Sequence, residues 1–229
     1  MPDPTVVQRM FGKIAGRYDL TNDVLSLGIH RRWRRRLVRR AAVAPGMRAL
    51  DVCCGTGDLS FALRAAGADV VGADFCAPMV AEAARKATHR APVPFLVGDA
   101  LCLPFAAASF DLVTVAFGIR NVADPRAGLA EMARVARPGG AVVVLEFCHP
   151  RVPLVGAAYR FYFRDVLPRL GALVSGDRDG AYRYLQRSVD AFPEREAFLD
   201  VMRDAGLVEP RFELVSCGIA AIYSGRVVA

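Results

Sequence analysis

Lysine is nearly missing from this 229-residue chain: only Lys13 and Lys86 stand among its 30 basic residues, so arginine carries almost all the positive charge. Tryptophan occurs once and histidine three times. The six cysteines (Cys53, Cys54, Cys76, Cys102, Cys148, Cys217) make no CxxC pair and no Cys/His spacing suited to zinc. That pattern argues against a disulfide scaffold and a metal centre, and for a reducing, cytoplasmic setting. No stretch reaches the roughly 18 uncharged apolar residues of a spanning helix, and the start "MPDPTVVQRMFGK" has no apolar core of a secretory signal. With 54% hydrophobic and 23% charged residues, the chain reads as one globular domain spanning 1–229.

The net charge of +7 is concentrated in "HRRWRRRLVRR", His30 to Arg40. A clustered basic stretch suits anionic phosphates, in lipid or nucleic acid. As a helix it aligns Ile29, Trp33, Leu37 and Ala41 in one apolar stripe. Either that stripe rests on a membrane with anionic headgroups, or it packs against the domain and the arginines are solvated. Few aromatics interleave with the arginines, so nucleic acid is not the expected partner.

From Met47 onward, β-branched runs alternate with alanine-rich amphipathic stretches. Strands are predicted at Met47–Cys53, Asp69–Asp74, Phe95–Val97, Asp111–Phe117 and Ala141–Phe147. Helices are predicted at Asp58–Ala66, Ala77–Thr88 and Pro125–Ala136, with "RPGG" (Arg137–Gly140) separating the last from the next strand. Such alternation predicts an α/β fold, a doubly wound, mostly parallel sheet. The segment 1–45 reads as helical, 46–149 as the ligand-binding core and 150–192 as an insertion over the strand ends. The remainder, 193–229, supplies a helix (Pro193–Ala205) and two strands (Leu207–Leu214, Ile219–Arg226), seven strands in all.

Within that core, "LDVCCGTGDLS" (Leu50–Ser60) places Asp51 at a strand end and Gly55-Thr56-Gly57 in the turn beyond it, where such sheets bind ligands. Asp74 ends the second strand and suits ribose hydroxyls; Asp99-Ala100 follows the third and suits an adenine. A dinucleotide fingerprint wants a small third residue and a helix start free for pyrophosphate. Here the register is G-T-G-D-L-S, with Asp58 facing that position. S-adenosylmethionine, a cation without phosphates, fits these acids better. Taken singly, Asp58 also reads as a helix N-cap and Asp74 as a turn residue.

Several longer stretches resemble one family, the UbiE/MenG-type methyltransferases of ubiquinone and menaquinone biosynthesis. They are "FGKIAGRYDLTNDVLSLGIHRRWRR", "LDVCCGTGD", "FGIRNVAD", "RVARPGG", "LEFCHP" and "YRYLQRSVDAFP", in family order from end to end. The resemblance implies a class I, Rossmann-like methyltransferase that methylates a carbon of a polyprenylated quinol with S-adenosylmethionine. It carries cofactor contacts onto Thr56, Asp74, Asp99, Ala100 and Ala116, the last commonly serine in the family. Thr21, Cys148 and Tyr223 also depart, from methionine, serine and histidine. Arg120 and Asn121, inside "FGIRN", become the candidate catalytic residues, holding a quinol oxygen as an anion or ordering a water; a solvated turn arginine is the plain alternative. Tyr18 and Asp19 read as a lid over the cofactor or an anchor for the N-terminal helix, and His30 and His149 as alternative bases. No metal is needed. A rival acceptor, another small or lipidic molecule or an RNA base, stays open, as do peripheral placement at the inner membrane face and a homo-oligomer.

Overall fold

The run "AVVVL" carries the fold: Val142 to Leu145 are each at most 1% exposed, as a strand covered on both faces must be. Because side chains alternate along a strand, Val142 and Val144 enter one core with Phe110, Val113, Leu129, Met132 and Phe198. Val143 and Leu145 enter the other, with Trp33, Leu37, Leu59, Leu63 and Ile222. The structure, a computed structural model, describes residues 4–90, 92–170 and 181–228.

The strands are β1 (Arg48–Val52), β2 (Asp69–Asp74), β3 (Phe95–Val97), β4 (Phe110–Ala116), β5 (Ala136–Phe147), β6 (Leu207–Val215) and β7 (Ala220–Val227). They form one seven-stranded sheet in the order β3-β2-β1-β4-β5-β7-β6. β1 to β5 pair in parallel; β7 runs antiparallel between β5 and β6. β1 has β2 on one side and β4 on the other, so the order reverses there. The loops leaving β1 and β4 diverge at that point and open a crevice.

Helices α4 (Asp58–Ala65), α5 (Ala77–Ala87), α6 (Pro125–Val135) and α9 (Glu196–Asp204) flank the sheet. Asp124 caps α6, its carboxylate accepting from Ala127 N at 3.0 Å with Pro125 in the first turn. Two boundaries differ by more than one residue from the sequence reading. "RPGG" lies inside β5 instead of before it, because Ala136 already pairs with Phe110 and the register slips before Ala141 meets Leu112. α9 starts three residues later than predicted, since Arg195 is buried with a left-handed φ of 58° and interrupts the helix.

Three N-terminal helices, α1 (Pro4–Ile14), α2 (Tyr18–Ser26) and α3 (Ile29–Arg40), confirm the helical reading of that segment. The apolar stripe of α3 is core: Trp33, Leu37 and Ala41 are buried against the sheet. A membrane therefore does not receive that stripe, and the reading in which it packs on the domain holds. The insertion after β5 contains α7 (Pro153–Phe161), which continues through a wider turn to Val166, and α8 (Ala181–Ala191); its residues 171–180 lie outside those described. Tyr159, Phe163, Leu167 and Val189 from this insertion pack with Met10, Ile14 and Leu25. N-terminal helices and insertion thus roof the carboxyl ends of the strands. Among the described residues no helix is long and apolar enough to cross a membrane.

Candidate active site

Two adjoining cavities lie under that roof. The larger, about 450 Å³, is lined by Phe11, Trp33, Phe117, Phe147, Tyr159 and Phe163 among others, with Arg120 in its wall. The smaller, about 100 Å³, lies against the ends of β2 and β3 and is lined by Asp74, Asp99, Ala100, Ala116 and Asn121. Tyr18, Cys53, Gly55, Ala116 and Phe117 line both, so the cavities meet where β1 and β4 diverge. Gly118 permits that junction: a Cβ there would lie 2.3 Å from Cβ of Cys53. The sequence reading passed over this glycine.

Asp74 shapes the turn it faces. Its Oδ2 accepts from Gly55 N at 2.8 Å and its Oδ1 from Cys76 N at 2.8 Å. Burial raises its pKa, opposed by those two amide bonds. Each carboxylate oxygen accepts two hydrogen bonds, so both keep capacity for a diol. Asp99 caps the next turn through Leu101 N at 2.9 Å. Among the described residues, no arginine, lysine or histidine lines the smaller cavity.

Asp51 lies in the wall of the larger cavity, 1% exposed. Ser60 Oγ donates to its Oδ2 at 2.6 Å and Thr114 Oγ1 to its Oδ1 at 3.2 Å. Burial outweighs these bonds and pushes its pKa up to about 7. Gly57, predicted as a ligand contact, lines neither cavity. Its φ is 83°, and a Cβ there would meet the Phe95 ring at 2.7 Å, so packing and the turn require the glycine.

Thr56 and Asp58 belong to a charge network that ties the roof to this loop. Thr56 Oγ1 donates to Asp19 of α2. Lys86, a buried residue of α5, donates to Asp19 at 2.6 Å and Asp58 at 2.8 Å, and Arg34 reaches Asp58 at 3.0 Å. Burial favours the protonated form of Asp58, but Arg34 and Lys86 outweigh it and hold its carboxyl below the ordinary range. The acid that the sequence sets against a pyrophosphate is therefore not a bare charge. The stronger ground against phosphate is the smaller cavity, with its two carboxylates and no described cation. Asp19 anchors the roof to this loop, while Tyr18 lines both cavities.

Arg120 is 8% exposed, not a solvated turn residue. Its Nη1 donates to Glu146 Oε1 at 2.9 Å and to Phe117 O, and its Nε to Ser188 Oγ at 3.2 Å. None of these bonds uses Nη2. Its guanidinium also stacks over Phe147, 5.5 Å from the ring centroid. Glu146 was invisible as a functional residue inside an apolar strand; burial raises its pKa and Arg120 opposes this. Asn121 Nδ2 leans on Phe117 O, and its Oδ1 accepts from Tyr184 Oη at 3.0 Å.

The two histidines part company. His30 lines the larger cavity, bonded to Ser26 Oγ and 3.3 Å from Asp23, with its pKa lowered to about 4 by burial and Arg34. His149 lines neither cavity; it lies between Asp190 and Glu194, at 2.9 and 3.3 Å. The family departures at Thr21, Cys148 and Tyr223 also lie outside both cavities, whereas the one at Ala116 lines both. Thr21 bonds back to Arg17 O, and Cys148 Sγ sits 3.3 Å from Tyr223 Oη, so two of the departures touch each other.

Known proteins share this architecture. A SAM-dependent methyltransferase of Thermotoga maritima superposes with a TM-score of 0.68 at 18% identity, covering 95% of this chain and 98% of the other. Phosphoethanolamine N-methyltransferase 2 of Haemonchus contortus, in complex with S-adenosyl-L-methionine, gives 0.59 at 15% identity over 81% and 49%. At those identities the likeness is one of fold. In sequence, the demethylmenaquinone methyltransferase of Thermus thermophilus is 53% identical over 219 residues, 94% of this chain and 99% of that one. The ubiquinone/menaquinone biosynthesis C-methyltransferase UbiE of Bdellovibrio bacteriovorus is 45% identical over 231 residues, 99% and 97% of the two chains. The pattern defining the ubiE/COQ5 methyltransferase family matches residues 2–226, and the chain belongs to that family.

Proposed function

We propose that this enzyme transfers a methyl group from S-adenosylmethionine to a ring carbon of a polyprenylated quinol, a demethylmenaquinol or a 2-methoxy-6-polyprenyl-1,4-benzoquinol, in respiratory quinone biosynthesis. The observation that carries this reading is the junction of an acid-lined cavity with an aromatic one that has Arg120 in its wall. The donor set fits the cofactor: Asp74 for ribose hydroxyls, Asp99 and Ala100 for adenine, Asp51 and the Gly55–Thr56 turn for the cationic amino-acid end. S-adenosylmethionine supplies a methyl group on a sulfonium, already a strong electrophile.

What the chain must add is position and a nucleophilic carbon. The aromatic wall holds a flat ring and excludes water. A quinol hydroxyl that loses its proton pushes electron density to the neighbouring ring carbon. Arg120, fixed on two sides by Glu146 and Ser188, presents a planar donor to that oxygen and stabilises the anion as it forms. Asn121 sets the turn that carries Arg120, and His30, held neutral, is another titratable group in this wall beside Asp51. The hydroxyl proton, and after carbon–carbon bond formation the ring proton, leave to solvent at the cavity mouth, and one proton returns to the quinol oxygen, so the transfer releases one proton overall.

Incubation with methyl-labelled cofactor and one quinone in its two redox states tests this. Label should enter the reduced quinol and not the oxidised quinone, because only the former ionises at a hydroxyl. Equal labelling of both would remove the proposed chemistry.

A further inference from the structure

The apolar stripe of α3 is spoken for, yet another apolar surface is not. Leu20 and Val24 lie one turn apart on α2, 59% and 41% exposed, and Leu27 just after the helix is 92% exposed. Leu27 is held at a left-handed φ of 48° in the turn to α3. Leu170, the last residue described in the first part of the insertion, is 38% exposed. Val24, Leu27 and Leu170 also line the larger cavity, so they form its mouth. Tyr162 donates to Leu25 O and fastens the two sides of that mouth together.

Charge surrounds this rim. Arg31 pairs with Asp23 of α2, and Arg35 follows it one turn later on α3, its Nε reaching back to Arg31 O. Against Asp23 and Asp165, the first turns of α3 carry exposed Arg31, Arg32 and Arg35, α7 and its extension carry exposed Arg160 and Arg164, and exposed Arg169 precedes Leu170. An apolar rim within a cationic collar matches the layers of an anionic bilayer, with hydrocarbon beneath phosphate.

We propose that Leu20, Val24, Leu27 and Leu170, with Arg31, Arg35 and Arg169 around them, form a docking surface that seats the cavity mouth on an anionic lipid bilayer. The choice of lipid rests on the quinol reading. A cavity of about 450 Å³ holds a ring system, in the size range of ordinary small-molecule sites, and not a long polyprenyl chain. The tail must leave through the mouth, and a mouth seated on hydrocarbon lets it stay in the membrane while the ring enters. Electrostatics brings the protein to the surface, and the exposed leucines enter the headgroup boundary.

Sedimentation with vesicles of phosphatidylglycerol and phosphatidylcholine, free of quinol, tests the docking by itself. Wild type should bind these vesicles and not pure phosphatidylcholine. L20E/L27E should weaken binding about tenfold or more, since each leucine loses its apolar transfer, with cofactor affinity retained as evidence of folding. Leu27→Gly, suited to the left-handed backbone, should weaken it by a smaller factor without adding charge. R31Q/R35Q should weaken it and flatten its salt dependence. R36Q/R39Q should change binding less than twofold, because Arg36 faces Glu213 on another side of α3. Wild type that ignores anionic vesicles at low salt would overturn the proposal. So would L20E/L27E binding like wild type, or a vesicle-free dimer that L20E/L27E dissolves, which would make the face a subunit contact. Protein that docks but methylates no quinol would leave the surface standing and remove the substrate reading.

Discussion

Arg120 Nη1 stands 2.9 Å from Glu146 Oε1 with both side chains buried, and Glu146 Oε2 has no hydrogen-bond partner among the described residues. The pair couples stability to chemistry. Arg120→Ala strips a buried carboxylate of its partner and should cost about 3–5 kcal/mol, as well as lowering kcat about 10²–10³-fold. The double variant R120Q/E146Q separates the two effects: it should regain most of the thermal stability and none of the activity. Lysine at 120 should rescue kcat only in part, since it keeps the charge and loses the planar fork. Calorimetric unfolding and initial rates on reduced quinol read both quantities, and a double variant with wild-type kcat would show that the cation is not needed.

Asp74 should govern cofactor affinity. Asp74→Asn keeps one acceptor and the side-chain volume, so the turn at Gly55 survives better than with alanine. Loss of a charge-assisted pair to the ribose should weaken S-adenosylhomocysteine binding by about 2 kcal/mol. Isothermal titration with unchanged affinity in folded Asp74→Asn would take Asp74 out of the cofactor contacts.

Asp51 gives a pH signature. Its folded pKa, raised to about 7 by burial, exceeds the ordinary carboxyl value of 3.8. Between those values the folded state holds a proton that the unfolded state releases. Its contribution to stability is therefore complete below about pH 4 and lost as pH rises through about 7, up to about 4 kcal/mol. Asp51→Asn cannot ionise. Its stability relative to wild type should rise between pH 5 and pH 8 in urea unfolding; a constant difference would place the Asp51 pKa near the unfolded value. A cationic ligand beside Asp51 favours the carboxylate, so cofactor affinity should increase with pH toward about 7 in wild type and not in Asp51→Asn.

How far these features were legible in the sequence follows from the range of the forces involved. Strand periodicity and the Gly55–Gly57 turn are local, and with them came the parallel sheet and the position of Asp74 and Asp99. The family stretches drew Arg120 into view. Glu146 stayed hidden because a carboxylate in "VVVLEF" declares its partner only when β4 and β5 pair, which brings Ala116 opposite Leu145. Lys86 reads as a solvated helix residue until α2 folds over α5 and sets Asp19 beside it. For α3, helical periodicity identified the apolar stripe without saying what it meets. Gly57 shows a role the motif did not announce: a glycine in the ligand turn makes room for the Phe95 ring.

The most direct measurement follows a labelled methyl group from S-adenosylmethionine into a panel of reduced naphthoquinols and benzoquinols, with mass and nuclear magnetic resonance locating it in the product. Carbon methylation of a demethylmenaquinol or a methoxy-polyprenyl-benzoquinol, abolished in R120Q/E146Q with cofactor binding intact, is the predicted result. Methyl transfer to oxygen, or to no quinol in the panel while another acceptor is labelled, would contradict it.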